Sequence, residues 1–266
     1  MAWQKQLRDR YASETMPPVP HLDIKRAEVR PVSYQLAKHI ILKYEWLGAM
    51  ATTSHHFGIF FGDYCAGVCC VCVGGGGANL NAHKLFGVPA GSFAYLARGA
   101  NVHWSPKGAN SKLVSWTCRL LARDTQTKII IAYSDTDAGE IGTIYQACNW
   151  AYIGQGASTR QWIAPNGRIF DQKYPYDKAR RFGGTRADWV RRLRDAGWTE
   201  QASNPKHRYV CVLDTTDSAL VARVEAMRQS YPKRARAVSI EADVPGVQPG
   251  EGGAVPTAAL QLSEAI

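Results

Sequence analysis

The sequence has no long hydrophobic run and no excess of acidic charge. No stretch approaches the roughly 18–20 uncharged apolar residues that a helix needs to cross a bilayer. The beginning, MAWQKQLRDR, is charged where a secretory signal turns apolar. We therefore expect a cytoplasmic protein with no membrane partner. With 45% hydrophobic and 20% charged residues over 266 positions, the composition is that of a globular protein with a substantial core.

Cysteines are too few and too clustered for a secreted disulfide scaffold. The chain has seven, an odd number, and three of them lie in the run AGVCCVCV. Reduced thiols are therefore expected. Side chains alternate between the faces of a strand, so only Cys70 and Cys72 would share a side. No second Cys or His pair completes the four ligands of a zinc centre, and small buried strand residues are the favoured interpretation.

Positive charge is what the chain has in excess. It carries 32 Lys and Arg against 22 Asp and Glu, a formal net charge of +10. Between Arg160 and Arg208, twelve basic residues accompany five acidic ones, whereas residues 237–266 contain acidic residues and no Lys or Arg. A basic tract of this kind favours a surface that faces a polyanion, because neutralising phosphates releases counterions. A solvated helix face is the alternative.

The order of the predicted elements indicates a mixed α/β sheet flanked by helices. Residues 1–30 are polar and interrupted by prolines, so we expect an N-terminal arm; residues 31–236 form the domain, and residues 237–266 a flexible tail. The predicted elements are a helix capped by Ser33 and ending near Gly48, a hairpin over HFGIFFGDYCAGVCCVCV, the strand SFAYLARGANV, a helix over Asn110 to Arg123, a buried strand over Thr127 to Tyr133, a helix over Ile141 to Asn149, the strand WAYIG, a hairpin over RQWIAPNGRIF, a helix over Thr185 to Ala196 and the strand HRYVCVL.

Polar residues follow two of these strands. The stretch VHWSPKGANS lies between a strand and a helix, where free backbone N–H groups and Lys107 favour a phosphate or carboxylate. Asn110 or Ser111 acting only as a helix cap is the alternative. Asp135 follows the most hydrophobic strand, and the carboxyl ends of strands line the binding crevice of open α/β sheets. Its alternative role is to cap the next turn.

Two further stretches are candidates for substrate contact. Tyr145 lies in GTIYQACNW, which is richer in hydroxyl, amide and aromatic groups than a core helix requires. The pair Glu45-Trp46, at a helix end, is suited to hydrogen-bonding a base edge and stacking on its face, although a surface acid beside a core Trp fits equally well. Aromatic residues recur near basic ones downstream, a combination that suits nucleic acid.

Taken together, the segments from about Tyr34 to Leu213 resemble the phage Mu Mom-like DNA modification proteins, which have the GNAT acyltransferase fold. The resemblance rests on the ordered series ARGANVHWSPKGANS, IAYSDTDAGEIGTIYQACNWAYIG and PKHRYVCVL. It implies a GNAT-like central sheet and a transferase that adds a carbamoylmethyl-type group to adenine N6 in DNA. Such a modification protects phage DNA from restriction in the host cytoplasm. The implied partner is double-stranded or locally opened DNA.

The resemblance also implies which residues form the working group, whereas the residues assigned to substrate binding and to DNA contact come from the polar, aromatic and basic stretches described above. The working group is Arg98, Ser111, Asp135 and Tyr145. Residues assigned to substrate binding are Glu45, Trp46, Trp104, Lys107, Asn110 and Asn149. Residues assigned to DNA contact are Arg180, Arg181, Arg191, Arg192, Lys206 and Arg208.

The cofactor is less well defined. Iron is implied by the resemblance, but no spacing in this sequence identifies its ligands. Glu45-Trp46 stands where some relatives have a His-Tyr pair. The acetyl-CoA loop of GNAT enzymes, Arg/Gln-x-x-Gly-x-Gly/Ala, is replaced by residues 105–111, which disfavours acyl-CoA. Two alternatives remain open: an acetyl-CoA-dependent N-acetyltransferase acting on a protein or small molecule, and a non-catalytic DNA-binding protein.

Overall fold

A seven-stranded sheet lies at the centre of the structure, a computed structural model that describes Gln6 and residues 9–74 and 82–234. The strands are β1 Glu28–Pro31, β2 His55–Phe61, β3 Tyr64–Val73, β4 Phe93–Asn101, β5 Ile129–Ser134, β6 Ala151–Gln155, β7 Arg160–Ile163, β8 Ile169–Asp171, β9 Thr199–Ala202 and β10 His207–Val212. The large sheet has the order β1-β2-β3-β4-β5-β10-β6. Within it β4 and β5 run parallel, and the other neighbours are antiparallel.

Helices cover the large sheet, and two more accompany the smaller three-stranded sheet. They are α1 Tyr34–Tyr44, α2 Ala82–Phe86, α3 Ala109–Asp124, α4 Thr143–Ala147, α5 Tyr174–Phe182, α6 Arg186–Asp195 and α7 Ser218–Met227. A short 3-10 helix spans Ile24–Arg26. Side-chain caps start several of them: Ser33 accepts from the Leu36 N–H at 3.2 Å, and Thr185 and Asp188 form a capping box.

The core occupies both faces of the large sheet. Ile130 packs in the cluster that includes Ile41 and Leu121, on the side of α1 and α3. Ile129 and Ile131 point the other way, into the cluster with Leu220 and Val224 of α7. Because β5 is buried on both faces, its sequence is a continuous apolar run rather than an alternating one.

The parallel pair β4 and β5 separates partway along its length. Pairing runs from Phe93 opposite Ile129 to Leu96 opposite Ala132 and ends there. Beyond this point β4 stays paired with β3 as far as Asn101, and β5 stays paired with β10 as far as Ser134. A register shift between Cys70 and Val71 bends the β3–β4 ladder at the same level. The sheet therefore opens into a cleft.

Residues 156–206, which we call the basic insertion, follow β6 and precede β10 in the sequence. They form a second, smaller layer. Its three strands have the order β8-β7-β9 and are accompanied by α5 and α6. Trp162 of β7 is completely buried, and the rings of Phe170, Tyr174 and Trp198 contact one another with centroids 4.5–5.2 Å apart. The insertion therefore has an aromatic core of its own.

The mixed α/β class predicted from the sequence is confirmed, with differences at particular elements. The first helix ends at Tyr44 rather than near Gly48, because the backbone of Glu45 is extended. The helix predicted over Ile141 to Asn149 is limited to α4, which lies between left-handed Gly142 and Asn149. Five of the strands and helices were not predicted, namely β1, β9, α2, α5 and α7, and neither was the short 3-10 helix.

The predicted arm and tail have different outcomes. The described part of the arm lies against the domain: β1 pairs with β2, and Ala27 is buried in the core. Tyr11, Val19 and Ile24 also pack against that core. The predicted tail over 237–266 lies outside the described residues.

Candidate functional site

A cavity of about 440 Å³ occupies the opening between β4 and β5. Its walls come from the middle of β4, the end of β5, the loop after α1, α4, and the segment that leads into α5. Residues of β4 and β5 that line it include Tyr95, Arg98, Gly99 and Tyr133; others are Glu45, Trp46, Leu47, Asp135, Glu140, Tyr145, Asp171, Lys173 and Lys206. The volume falls within the range of about 300–1,000 Å³ that is typical of small-molecule sites.

Asp135 is held on both sides at the end of β5. Its Oδ2 lies 2.6 Å from Lys206 Nζ, and its Oδ1 accepts a hydrogen bond from the Asp137 N–H at 3.0 Å. The first contact joins the exit of β5 to the entrance of β10, which are neighbours in the sheet. The carboxylate is therefore a fixed anion in the wall of the cleft, and it also starts a turn, as the capping alternative predicted.

Glu45 lies across the cleft, immediately after α1. Its Oε2 accepts a hydrogen bond from the Leu47 N–H at 2.8 Å. Burial raises the pKa of the Glu45 carboxyl above its usual value, and the charge of Arg98 opposes this rise. This carboxyl therefore takes up a proton more readily than an exposed glutamate.

Arg98 fixes the loop that carries Glu45. Its Nε donates to the Ala49 carbonyl at 2.8 Å, and its Nη1 donates to the Ala97 carbonyl at 2.8 Å. The bond to Ala49 ties the loop after α1 to β4 at the level where β4 leaves β5, and the bond to Ala97 fixes the guanidinium against its own strand. The guanidinium thus supplies positive charge to the cavity and also shapes its wall.

Tyr145 forms the aromatic floor of the cleft. Its ring lies 5.1 Å from that of Trp150 and 5.2 Å from that of Tyr209, centroid to centroid. Burial raises the pKa of the Tyr145 phenol above its usual value, so the phenol stays neutral near pH 7. Its hydroxyl can therefore donate a hydrogen bond but is a poor base.

Two tyrosines that sequence reasoning did not single out also line the cleft. The rings of Tyr95 and Tyr133 are nearly parallel, 15° apart, with centroids separated by 6.3 Å. The sequence predicts a fully buried strand ending at Tyr133, whereas the side chain of Tyr133 is 41% exposed because its strand has parted from β4. Its position at the carboxyl end of a strand was the available signal.

Five of the residues predicted to bind substrate or to act in catalysis lie away from the cavity lining. Ser111 donates to the Gly108 carbonyl at 2.9 Å within the first turn of α3, and Trp104 packs edge-on against Phe61. Asn149 adopts a left-handed conformation that ends the turn after α4, a conformation that asparagine tolerates well. Lys107 is exposed and Asn110 half-buried beside Ser111. The local backbone therefore explains why serine stands at position 111 and asparagine at position 149.

The residues predicted to contact DNA divide into two groups. Arg180, Arg181, Arg191 and Arg192 are exposed on α5 and α6 of the basic insertion. Lys206 instead points into the cleft toward Asp135. Arg208 lies within the large sheet, where its Nη2 donates to the Ile153 carbonyl at 3.1 Å. Lys206 and Arg208 therefore contact other groups of the domain, whereas the sequence predicts that they contact DNA phosphates.

The residues present do not fit a bound iron ion. Among the described residues, no three His, Cys, Asp or Glu side chains come together as a group able to hold a metal. The cleft carboxylates of Glu45 and Asp135 already accept hydrogen bonds from the backbone.

Among the residues that the structure describes, no helix combines the length and apolar character required to cross a membrane.

Comparison with known proteins identifies one family. The sequence profile of the Mom protein family matches residues 26–233. None of the curated proteins matches the chain in sequence.

Several solved structures are similar to the chain. They include an N-acetyltransferase from Staphylococcus aureus Mu50, with 8% identity over 70% of this chain and 97% of that chain and a TM-score of 0.38. FeeM, an N-acyl amino acid synthase from uncultured soil microbes, has 13% identity over 74% and 97%, with a TM-score of 0.41. The ribosomal-protein-S5-alanine acetyltransferase from Vibrio fischeri has 10% identity over 71% and 94%, with a TM-score of 0.39.

Proposed function

The chain belongs to the Mom protein family, and from that premise we propose that it is a DNA modification enzyme that transfers a carbamoylmethyl-like group to adenine N6. The modification would protect phage DNA from restriction. The observation that carries the proposal is the cleft between β4 and β5, where Arg98, Asp135 and Tyr145 line one cavity. These are three of the four residues assigned to the working site by resemblance.

Adenine imposes two requirements on such an enzyme. The lone pair of its exocyclic amine is delocalised into the ring, so the nitrogen is a weak nucleophile. In duplex DNA the amine is also hydrogen-bonded within the base stack, so the base must leave the stack at a cost of a few kcal/mol. The site must therefore hold an extruded base and assist removal of a proton from its amine.

The cleft contains groups suited to the first requirement. The exposed face of Tyr133 offers a stacking surface for a purine, and base–aromatic stacking contributes about 1–3 kcal/mol. The Asp135 carboxylate accepts hydrogen bonds and so suits an exocyclic amine. The neutral phenol of Tyr145 donates and suits a ring nitrogen. These contacts would offset the cost of extruding the base.

The basic insertion is suited to holding the DNA backbone. Its exposed arginines alternate with aromatic rings: Arg181 lies 5.1 Å from the Phe182 ring, and Arg192 lies 5.1 Å from the Trp189 ring. Phe182 is itself 58% exposed. The residues that precede α5, Asp171 and Lys173, line the cavity. The cationic surface is thus continuous in sequence with the cleft wall.

One feature weighs against the acetyl-CoA alternative. The start of α3, where a phosphate was expected to bind, is engaged by the N-terminal segment. Lys112 Nζ donates to the carbonyls of Ile24 and Lys25 at 2.6 and 3.1 Å. The Ile24 side chain also approaches Gly108 so closely that a β-carbon there would lie 3.1 Å from it. The N–H groups of this helix end are therefore poorly placed for a pyrophosphate.

Expression in a bacterium tests the proposed function. The DNA is digested to nucleosides and analysed by mass spectrometry, with Asp135→Asn as the variant in the cleft and Asp63→Asn, in the exposed turn between β2 and β3, as the matched control. We expect a heavier deoxyadenosine from the unaltered protein and from Asp63→Asn, and little from Asp135→Asn. Unmodified nucleosides from cells that contain soluble protein in iron-replete medium would contradict the proposal. Thermal stabilisation by acetyl-CoA without DNA affinity would instead favour the acetyltransferase alternative.

A further inference from the structure

We propose that Glu45 is the group that accepts the proton from the adenine amine, whereas Asp135 holds and orients the base. From the sequence, Asp135 was assigned to the working group and Glu45 to substrate binding only. The inference rests on the proposed function and names a chemical role within the same cleft. It follows from a comparison of how the carboxylates of Glu45, Asp135 and Asp171 are engaged.

Asp135 is poorly placed to take a proton during the reaction. Its two oxygens already face Lys206 Nζ at 2.6 Å and the Asp137 N–H at 3.0 Å. The contact with Lys206 holds the Asp135 carboxylate in one direction, which suits binding of the base better than transfer of its proton. Asp171, at the rim, is exposed, and its Oδ1 accepts from the Lys173 N–H at 2.8 Å.

Glu45 is held by three hydrogen bonds to the backbone. The ion pairs between described residues do not include it. Its backbone N–H donates to the Ile41 carbonyl at 3.0 Å, and its carbonyl accepts from the Gly48 N–H at 3.0 Å. The side-chain Oε2 takes the Leu47 N–H at 2.8 Å. A carboxylate has about four acceptor positions, so further acceptor capacity remains for an amine in the cavity.

The electrostatic setting matches this role. Burial raises the pKa of Glu45, and a general base works best when its pKa lies near the working pH. The charge of Arg98 opposes this rise in pKa, and the bond from Arg98 to the Ala49 carbonyl fixes the loop. Arg98 is therefore a positioning residue for Glu45 as well as a charge in the cleft.

The transfer step balances with a donor of one chemical class, an electrophilic carbon that bears a leaving group. The N6 lone pair forms a bond to that carbon, and the bond from carbon to the leaving group breaks with its electron pair. The nitrogen becomes acidic as the new bond forms, and its N–H proton passes to a Glu45 oxygen. Release of this proton to solvent restores the carboxylate.

Glu45→Gln is the direct test, because glutamine keeps the shape and an oxygen for the Leu47 N–H but cannot accept a proton. Plasmid DNA is incubated with purified protein and a clarified extract of the expression host as the source of donor, from pH 5.5 to 9. Modified deoxyadenosine is then measured by mass spectrometry. The unaltered protein is expected to gain activity with pH through one ionisation. Glu45→Gln is expected to lose about 10²–10⁴-fold in rate and to lose that pH dependence.

Three controls separate proton transfer from loss of structure. Glu45→Asp is expected to recover part of the rate and all of the pH dependence. DNA affinity and melting temperature of Glu45→Gln should match those of the unaltered protein. Asp135→Asn should keep the acidic limb of the pH profile while lowering the rate.

The outcomes distinguish this inference from the proposed function. If the unaltered protein modifies DNA and Glu45→Gln retains its rate within threefold, or keeps the same acidic limb, Glu45 is not the proton acceptor and the proposed function stands. Loss of the acidic limb in Asp135→Asn instead would return the role to Asp135. If the unaltered protein leaves deoxyadenosine unchanged, both proposals fail.

Discussion

Lys206 Nζ lies 2.6 Å from Asp135 Oδ2 and so connects the first residue after β5 to the residue before β10. Both residues line the cavity, with the Lys206 side chain 37% exposed and the Asp135 side chain 13% exposed. An ion pair at this position fixes the direction of the Asp135 carboxylate. It also removes Lys206 from the set of cations available to bind DNA phosphates.

Replacement of Lys206 by methionine is expected to lower DNA modification more than tenfold. The unpaired Asp135 carboxylate would lose its orientation, because the contact that fixes its direction is gone. Lys206→Arg should retain most of the activity, since it restores the charge. Yield of modified deoxyadenosine in cells measures both effects. Lys38→Met, at an exposed position of α1, is the matched control, and an equal loss there would contradict the role of the ion pair.

Neutralising exposed arginines of α5 should weaken DNA binding in a salt-dependent manner. Each phosphate contact contributes about 0.9 to the slope of log affinity against log salt. The double variant Arg180→Gln/Arg181→Gln is therefore expected to reduce that slope by about 2. Arg119→Gln/Arg123→Gln removes the same charge from exposed positions of α3. If both variants reduce the slope equally, the basic insertion is not the specific DNA-facing surface.

The stacking role of Tyr133 is tested by removing its ring. Tyr133→Ala is expected to weaken binding of adenine-containing single-stranded DNA by about 1–3 kcal/mol, and Tyr133→Phe by much less, because the ring supplies the contact. Fluorescence anisotropy with short labelled oligonucleotides measures the difference. An equal loss in both variants would point to the hydroxyl and not the ring.

Gly142 is required by the packing beneath the cleft. Its φ is +71°, and a β-carbon there would overlap the ring of Tyr209. Gly142→Ala is expected to lower the free energy of unfolding by about 2–4 kcal/mol, combining left-handed strain with overpacking. Gly167→Ala has a similar φ of +80° but open space around it, so about 1–2 kcal/mol is expected. Urea denaturation of both variants checks the difference, and equal losses would contradict the steric argument.

The cysteines of β3 should behave as buried thiols. Burial raises the pKa of Cys65 to about 11 and that of Cys70 to about 12. Their thiolate fraction, and hence their alkylation rate, should still be rising tenfold per pH unit between pH 7 and 10. In guanidinium the rates should level off above the ordinary value of about 8.5. Iodoacetamide labelling followed by peptide mass spectrometry measures each residue. Levelling near pH 7 in the folded protein would indicate a stabilised thiolate.

The sequence predicts the parts of the site that depend on local pattern. Asp135 follows an apolar strand, and Tyr145 lies in a polar, aromatic helix segment, and both line the cavity. Ser111 also lies in a polar stretch at a helix start, but its hydroxyl is used within the first turn of α3. A helix start satisfies its own donors and acceptors whether or not a ligand is nearby, so the pattern alone does not separate the two cases.

Tertiary geometry accounts for what the sequence does not reveal. Tyr133 reads as part of a buried strand and becomes accessible only because β4 and β5 separate after Leu96 and Ala132. Lys206 reads as one more cation of a basic tract, and its contact with Asp135 spans 71 positions of sequence. The helix α5 was missed because proline and charged residues dominate it, and its only buried residue is Pro175.

A crystal structure of the Asp135→Asn variant with a DNA duplex tests the central claim most directly. A single adenine opposite an abasic site lowers the cost of extrusion. The account predicts that this adenine lies between β4 and β5, stacked on Tyr133, with its amine within hydrogen-bonding distance of Glu45. An adenine that stays in the duplex, with the DNA bound away from the opening between these strands, would contradict it.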